Sequence, residues 1–394
     1  MTRSVLVVGG GVVGLAVADR VLREDPAARV TVLEKEDGWA THQTGRNSGV
    51  VHSGLYYPPG SAKARWCRAG AEALLAFAAE EGVPQARTGK LVVATAPEEL
   101  PRLAALHERG LANGLAVRRV DAEEAREHEP HVAALAALHV PETGVVDYAA
   151  VSAALVRRLR AAGADLRTGT TVLGGREDAR GVTVATSTGE ERADVVVTCA
   201  GLHTDTVARR LGHDPFVRVV PFRGEYHELA PEAAHLVRGL VYPVPDPDLP
   251  FLGVHLTRGV DGVVHAGPNA VPALAREGYG WGVVSARDLA GTLAWPGTWR
   301  LARRQARTGP AEVTRSLSRR RFADSVRRLV PEVRDEHLRP SPAGVRAQAV
   351  RPDRTLVDDF LVERTARCAH VLNAPSPAAT ASLEIAGHVV GHLP

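Results

Sequence analysis

"SVLVVGGGVVGLAVADRVL", Ser4 to Leu22, is the stretch on which the reading of the whole chain turns. Val5 to Val8 is a short apolar run of the kind that forms a buried strand. The glycines that follow end it, and a helix takes over. Gly9, Gly11 and Gly14 form G-x-G-x-x-G. Gly9 makes the tight turn, Gly11 lets the backbone approach a pyrophosphate seated on the positive helix N-terminus, and Gly14 lets helix pack closely on strand. A second strand, "RVTVLEKE", ends at Glu34, 20 residues beyond Gly14, with Lys35 beside it. A carboxylate there accepts hydrogen bonds from ribose hydroxyls and disfavours a 2′-phosphate. Strand, turn, helix, strand and acid in this order point to a dinucleotide site, with Lys35 counted in it, over a purely structural turn. The fingerprint does not choose between NAD and FAD.

The rest of the composition narrows the class. At 394 residues the chain is long enough for two domains, and 45% apolar with 24% charged residues is ordinary globular composition. A net charge of +3 gives no reason to expect a nucleic-acid partner. Lysine occurs only at Lys35, Lys63 and Lys90, so arginine supplies nearly all the basic charge and arginine counts alone carry little meaning. Cys67, Cys199 and Cys368 are widely spaced and form no C-x-x-C pair, which fits reduced thiols and a cytoplasmic location and points to no metal site. The N-terminal apolar run holds the glycine turn and has no cleavage signal, and no stretch is long and apolar enough to span a bilayer.

Along the chain, "SAKARWCRAGAEALLAFAAEEG" reads as a helix, "KLVVAT" as a strand, and residues 97–130 as helical and charged. "DYAAVSAALVRRLRAAG" is an amphipathic helix capped by Asp147, and "ADVVVTCAG" is a buried strand ending at Gly201. From about Phe216 the texture changes: "FVRVVPFRGEYHEL", "GLVYPVPD", "PFLGVHLT" and "GVVHAGPN" are successive strand candidates of an antiparallel sheet. Residues 285–330 return to basic helices. "AHVLNAPSPAATASLEIAGHVVG" gives a last strand, a turn and a last helix, with Ser376, Pro377 and Ala378 at the expected helix start, a second site able to face an anion or a polarised carbonyl. The expected fold is α/β: a Rossmann-like domain from residues 1–85, 142–212 and 340–394, and an antiparallel-sheet α+β domain from 86–141 and 213–339.

"THQTGRNSGVVHSGLYY", Thr41 to Tyr57, is too glycine-rich for a good helix and too polar for a buried strand. On composition alone it is either a solvated loop or a loop that meets a ligand. Together with "VPFRGEY", "YPVPDPDLPFLGVHLT", "GPNAV", "REGY", "PAGVRAQAV" and "NAPSPAAT", it carries a resemblance that runs nearly end to end. The chain resembles the L-2-hydroxyglutarate oxidases and dehydrogenases of the glycine/D-amino-acid oxidase flavoprotein superfamily. The resemblance implies FAD, a two-domain fold of this kind, and oxidation of an L-2-hydroxy acid to a 2-oxo acid, here 2-oxoglutarate. It places Thr44, Ser48 and Gly49 at the flavin, with Gly201 and Gly344 among the cofactor contacts, and His52 and Tyr56 on the substrate side. The family usually has histidine where Arg46 stands. Arginine cannot tether a flavin, so FAD is expected to be held non-covalently. The family also usually has lysine where Ala275 precedes "REGY".

The implied chemistry takes a hydride from C2 and a proton from the hydroxyl, and a neutral histidine suits the proton. His255, flanked by apolar residues and inside a family motif, is the first candidate; its bland alternative is a satisfied core histidine, and His52 is the second candidate. Carboxylates call for arginine, whose planar fork makes two hydrogen bonds. Arg346 resembles in position the carboxylate-binding arginine of related amino-acid oxidases; Arg276 and Arg223 follow, and Tyr56 or Tyr242 could hydrogen-bond a carboxylate or simply fill core. The basic run Thr314 to Arg328, with Leu317, Phe322 and Val326 interleaved, is a solvated face or a membrane-surface helix passing electrons to a quinone. The sequence does not name the electron acceptor, oxygen or a quinone. Two other readings stay open: the same fold acting on another 2-hydroxy or 2-amino acid, and a flavin-binding redox module without turnover.

Overall fold

The first strand, Ser4–Val8, lies inside a six-stranded sheet and pairs in parallel with Arg29–Leu33 on one side and Val195–Thr198 on the other. Asp165–Arg167 extends the sheet beyond the former, and Cys368–Asn373, then Leu361–Arg364, extend it beyond the latter. The computed structural model describes residues 2–246, 252–304, 309–353 and 355–394. Val5 to Val8 are buried throughout, as a parallel strand covered on both faces requires. The helices Val12–Glu24, Ala62–Glu80, Tyr148–Ala161 and Ser382–Val390 share one apolar core against this sheet. Their starts are legible chemistry: Ser61 Oγ accepts from Ala64 N–H, and the Asp147 carboxylate accepts from Ala149 and Ala150 N–H.

The second sheet is built on two long antiparallel strands, Arg218–Leu229 and Leu338–Val350, paired from Arg218↔Val350 to Leu229↔Leu338 with a register shift between Gly224 and Tyr226. Leu240–Pro243 pairs with His255–Arg258 and also, in parallel, with Lys90–Ala94, which sets Tyr242 opposite Val92. Ala136–Val140 continues the sheet beyond Lys90–Ala94. Residues 340–350, which the sequence groups with the nucleotide segments, lie in this second sheet.

Three local expectations change. The 97–130 stretch is not one helical run: Gly114, at φ +71, closes the helix Leu100–Ala112, the strand Arg118–Asp121 follows, and Asp121 caps the helix Ala122–His128. The last helix begins at Ser382, not at Ser376. Prolines at 375 and 377 have no amide to donate, so the chain first winds through turns that accept Ala378 N–H at Pro375 O and Ala381 N–H at Pro377 O. His255 opens its strand, and of "PFLGVHLT" Pro250 and Phe251 lie outside the described residues. In the basic helix Arg319–Arg327, Phe322 and Val326 are buried in the core of the second sheet. The apolar face that a membrane-surface helix needs is therefore already used, and Leu317 alone of the three is exposed. Among the described residues no helix is long and apolar enough to cross a membrane.

A buried ion pair ties the two sheets' elements together. Arg276 Nη1 and Nη2 donate to the two carboxylate oxygens of Asp205 at 2.6 and 2.9 Å, and Arg209 Nη2 approaches the same carboxylate at 3.3 Å. Burial pushes the Asp205 carboxyl up, but the two arginines outweigh it and the net shift is downward. Removing one partner strands a buried charge. Arg276→Met is expected to lower unfolding stability by about 3 kcal/mol, near the low end for a broken buried pair because Arg209 stays. A carboxyl held down contributes stability above its ordinary value of ~3.9 and loses it on acidification. The gap between variant and parent in urea unfolding should therefore close as the pH falls through that range; equal midpoints at neutral pH would refute the assignment.

Candidate active site

One cavity of about 710 Å³ takes its wall from both sheets. At one end stand Gly9, Gly11, Gly14, Glu34 and Lys35. A methyl at Gly14 would lie 2.0 Å from Gly9 O, and one at Gly9 would lie 2.4 Å from Cys199 O, so strand, turn and helix touch backbone to backbone. Gly11 caps the helix without a side chain, and the helix carries no acid in its first turn. Thr44 Oγ1 accepts the Val12 N–H at 3.1 Å. An open, acid-free helix N-terminus beside bare backbone fits a pyrophosphate. Glu34 is fixed at the strand end, its Oε2 accepting from Gly10 N–H at 2.7 Å and its Oε1 from Glu36 N–H at 3.0 Å. A turn glycine that the fingerprint leaves unspecified is also required: a methyl at Gly10 would meet the Trp39 ring at 2.4 Å.

Thr44, Arg46, Ser48, Gly201, Gly344, Ser376, Pro377 and Ala378 line the same cavity. Arg46 stacks over Tyr279 at 4.2 Å and donates to Thr41 O at 3.0 Å, and Gly344 packs on its carbonyl, where a methyl would stand at 2.4 Å. Gly49 does not line the cavity. Its N–H donates to Asn47 Oδ1 at 2.8 Å and its carbonyl accepts Val146 N–H at 2.8 Å, bonds that shape the loop.

His52, Tyr56, Tyr242, His255 and Arg346 line the cavity's other end. Tyr242 and His255 stack with ring centroids 3.9 Å apart. His255 Nδ1–H donates to Gly253 O at 2.8 Å, which leaves Nε2 as the acceptor nitrogen. Burial drives its pKa down to about 3, with Arg346 and Lys90 adding to the fall against the Gly253 hydrogen bond. His52 is likewise held at about 3, by burial first and then by Lys90 and His255. Both imidazoles are therefore neutral. Burial pulls the Arg346 guanidinium below its ordinary value, opposed by Tyr226 and Tyr242. Tyr56 Oη, Tyr242 Oη and His52 Nδ1 are buried without a hydrogen-bond partner among the described residues, Thr257 approaching Tyr242 without reaching hydrogen-bond geometry. Buried polar atoms left open in a cavity are what a polar ligand would satisfy.

Arg276, expected at the substrate, is absent from this wall because Asp205 holds its guanidinium. Arg223, the weaker candidate, is fully buried, donates to Glu225 Oε1 at 3.0 and 3.1 Å, and lies 4.4 Å from the Trp281 ring centre. Three residues were missed. Tyr226 lines the cavity beside Arg346 and Ser48. Glu277, held at about 2 by hydrogen bonds from His203 and Lys35 that outweigh its burial, ties the "REGY" loop to the nucleotide end, 2.8 Å from His203 Nε2 and 2.7 Å from Lys35 Nζ. Lys90 is buried against the Tyr56 and Tyr242 rings at 4.4 and 4.9 Å. Its signal was in the sequence: a lysine in a chain that otherwise uses arginine, at the head of an apolar strand.

The family model described as FAD dependent oxidoreductase (DAO) matches residues 4–391. The chain is 44% identical over 391 residues to an L-2-hydroxyglutarate dehydrogenase of Indibacter alkaliphilus, covering 99% of this chain and 98% of that one. It is 43% identical to the protein of that name in Escherichia coli strain K12, over 98% of this chain and 92% of the other. The mitochondrial L-2-hydroxyglutarate dehydrogenase of Homo sapiens is 40% identical, over 99% and 88%. Among solved structures, an FAD-bound L-alpha-glycerophosphate oxidase from Mycoplasma pneumoniae shares the fold with a TM-score of 0.80 at 22% identity, covering 99% of this chain and 94% of that one. A glycine oxidase from Geobacillus kaustophilus does so with a TM-score of 0.73 at 21% identity, covering 100% and 95%. The glycine cradle, the open helix end and this full-length similarity agree: the chain belongs to the FAD-dependent oxidoreductase family, among the L-2-hydroxyglutarate dehydrogenases.

Proposed function

We propose that the chain oxidises L-2-hydroxyglutarate, or a close L-2-hydroxy acid, to the 2-oxo acid, with FAD held non-covalently and oxygen or a quinone taking the electrons. The observation that carries this reading is one buried cavity end that offers a neutral imidazole with an accepting nitrogen, His255 Nε2, together with the Arg346 guanidinium, continuous with a dinucleotide cradle. The names of the relatives support the substrate.

FAD, when bound, supplies the acceptor for the hydride leaving C2. The chain supplies the rest. Arg346 binds the carboxylate next to C2, its planar fork matching the two oxygens, and fixes which face of the acid is presented. His255 Nε2 takes the hydroxyl proton. That nitrogen is neutral but weakly basic, because burial and two nearby cations oppose its charging. A bound carboxylate offsets those cations and restores its basicity, so the base is strengthened by the molecule it acts on. The Tyr242 ring stacked on the imidazole and the Gly253 carbonyl at Nδ1 hold the tautomer and the angle. Burial excludes water from the proton acceptor.

Non-covalent FAD is tested by acid precipitation. The yellow colour should pass into the supernatant, and colour retained by the pellet would refute it.

Arg346→Ala should weaken substrate binding by roughly 2–5 kcal/mol, as loss of one partner of a buried charge pair does, while FAD content stays intact. An unchanged half-saturation for anaerobic bleaching of the flavin by L-2-hydroxyglutarate would remove Arg346 from the role.

A general base contributes about 10²–10⁴-fold, so His255→Gln should slow that bleaching by this order with fold and FAD retained. Because His255 in the free enzyme titrates far below the ordinary histidine value, kcat/KM should show no acid limb centred near ~6.5. A His255→Gln rate within a few-fold of wild type would shift the role to His52.

A further inference from the structure

The chemistry above leaves Lys90 unused. It heads the strand Lys90–Ala94, opposite Val140, and is 2% exposed. Among the described residues its ammonium forms no ion pair and no hydrogen bond. The titratable groups that face it are Cys67, His52, His255, Tyr56 and Tyr242. None of them is an anion: burial pushes the Cys67 thiol up to about 12, holds both imidazoles at about 3, and raises both phenols. A buried ammonium with no counter-charge is costly to a fold, and a structural role would have been served better by an apolar side chain.

The surroundings point to what supplies the missing charge. Lys90 is not itself on the cavity wall; the Tyr56 and Tyr242 rings whose faces it meets are. Their hydroxyls are buried and lack partners among the described residues, two donors on residues of the cavity wall with a cation against their rings. The other cation, Arg346, bears on the same His255 that Lys90 does. A 2-hydroxy acid with one carboxylate is neutralised by Arg346 alone. A second carboxylate would require a second cation, and Arg276 does not provide it.

We propose that Lys90 is the counter-charge for the second carboxylate of a dicarboxylic 2-hydroxy acid, which the Tyr56 and Tyr242 hydroxyls hold, and that this sets the preference for such dianions over 2-hydroxy acids with a single carboxylate. The inference rests on the function proposed above. Lys90 acts through the tyrosines and is a positioning residue. Burial lowers its pKa to about 7, against a small opposing effect of Cys67. The dianion binds the protonated form, so binding requires proton uptake above that pH, and affinity falls as the pH rises.

The test compares L-2-hydroxyglutarate with L-2-hydroxypentanoate, which has the same chain length without the second carboxylate. Wild type, Lys90→Met and Lys90→Arg are followed by anaerobic flavin bleaching and by thermal unfolding. Lys90→Met should lose on the order of 10²-fold in kcat/KM for the dicarboxylate and only a few-fold for the monocarboxylate. Lys90→Arg should recover part of the preference. The wild-type dissociation constant for L-2-hydroxyglutarate should rise with pH above about 7, and Lys90→Met should abolish that slope. The Tm of Lys90→Met should not fall, because an apolar chain replaces a buried charge. Equal losses on both acids, or a lowered Tm with the preference intact, would show a structural lysine and overturn the inference. A wild type that prefers the dicarboxylate, with Lys90→Met keeping that preference, overturns this inference alone; a wild type that prefers the monocarboxylate overturns it together with the proposed function.

Discussion

The contact on which the rest depends is backbone against backbone at the glycine turn. A methyl at Gly14 would sit 2.0 Å from Gly9 O, and a methyl at Gly9 would sit 2.4 Å from Cys199 O. No side chain fits at either point, so the first helix must start close above the first strand and beside the strand Val195–Thr198. That fixes where the helix N-terminus points, and it is why Gly11 can cap it without a side chain. The opening in the fold and the positive end of the helix are produced by the same close approach. Strands from the beginning, middle and end of the chain then gather around this contact in one parallel set, and the last of them delivers Ser376 to Ala378 to the cavity.

The second sheet solves a different problem. It must hold polar groups out of water without satisfying them. Lys90 and Tyr242 come from strands in parallel pairing, and His255 from the strand antiparallel to Tyr242's. Their mutual register is set by ladder hydrogen bonds and not by contacts between the side chains themselves. The sheet can therefore impose an arrangement that the side chains would not choose: two cations bearing on one imidazole, with phenols left open. Apolar packing elsewhere in the sheet, around Phe322, Leu256 and Val241, offsets what this costs.

What could be read in the chain follows from how local the physics is. The glycine cradle was legible because each glycine answers a contact made within one β-α unit. Asp147 and Ser61 were legible because capping is decided within a few residues. Ser376 and Pro377 carry helix-start signals, but the missing amides of two prolines delay the continuous ladder to Ser382. Arg276 lies off the cavity wall because Asp205 holds it, a partner 71 residues away that nothing in "REGY" announces. Gly49 stands off the cavity wall that Thr44, Arg46 and Ser48 line, because its backbone bonds to Asn47 and Val146 decide its place. Arg346, Tyr242 and His255 reached the cavity as expected, on motifs rather than on any pattern of period.

The uneven use of lysine and arginine ties these points together. Arginine carries most of the positive charge here, and two buried arginines are engaged by carboxylates, Arg276 by Asp205 and Arg223 by Glu225. Its pKa is too high for burial to discharge it, so an arginine stays charged with or without substrate. Lysine can bear burial otherwise, since desolvation moves its pKa toward neutrality and the proton can leave when no anion is present. At Lys90, which no carboxylate faces among the described residues, that lets the side chain be cationic with substrate bound and tolerable without it. That accounts for Lys90 standing in the second sheet of a chain that has otherwise almost abandoned lysine.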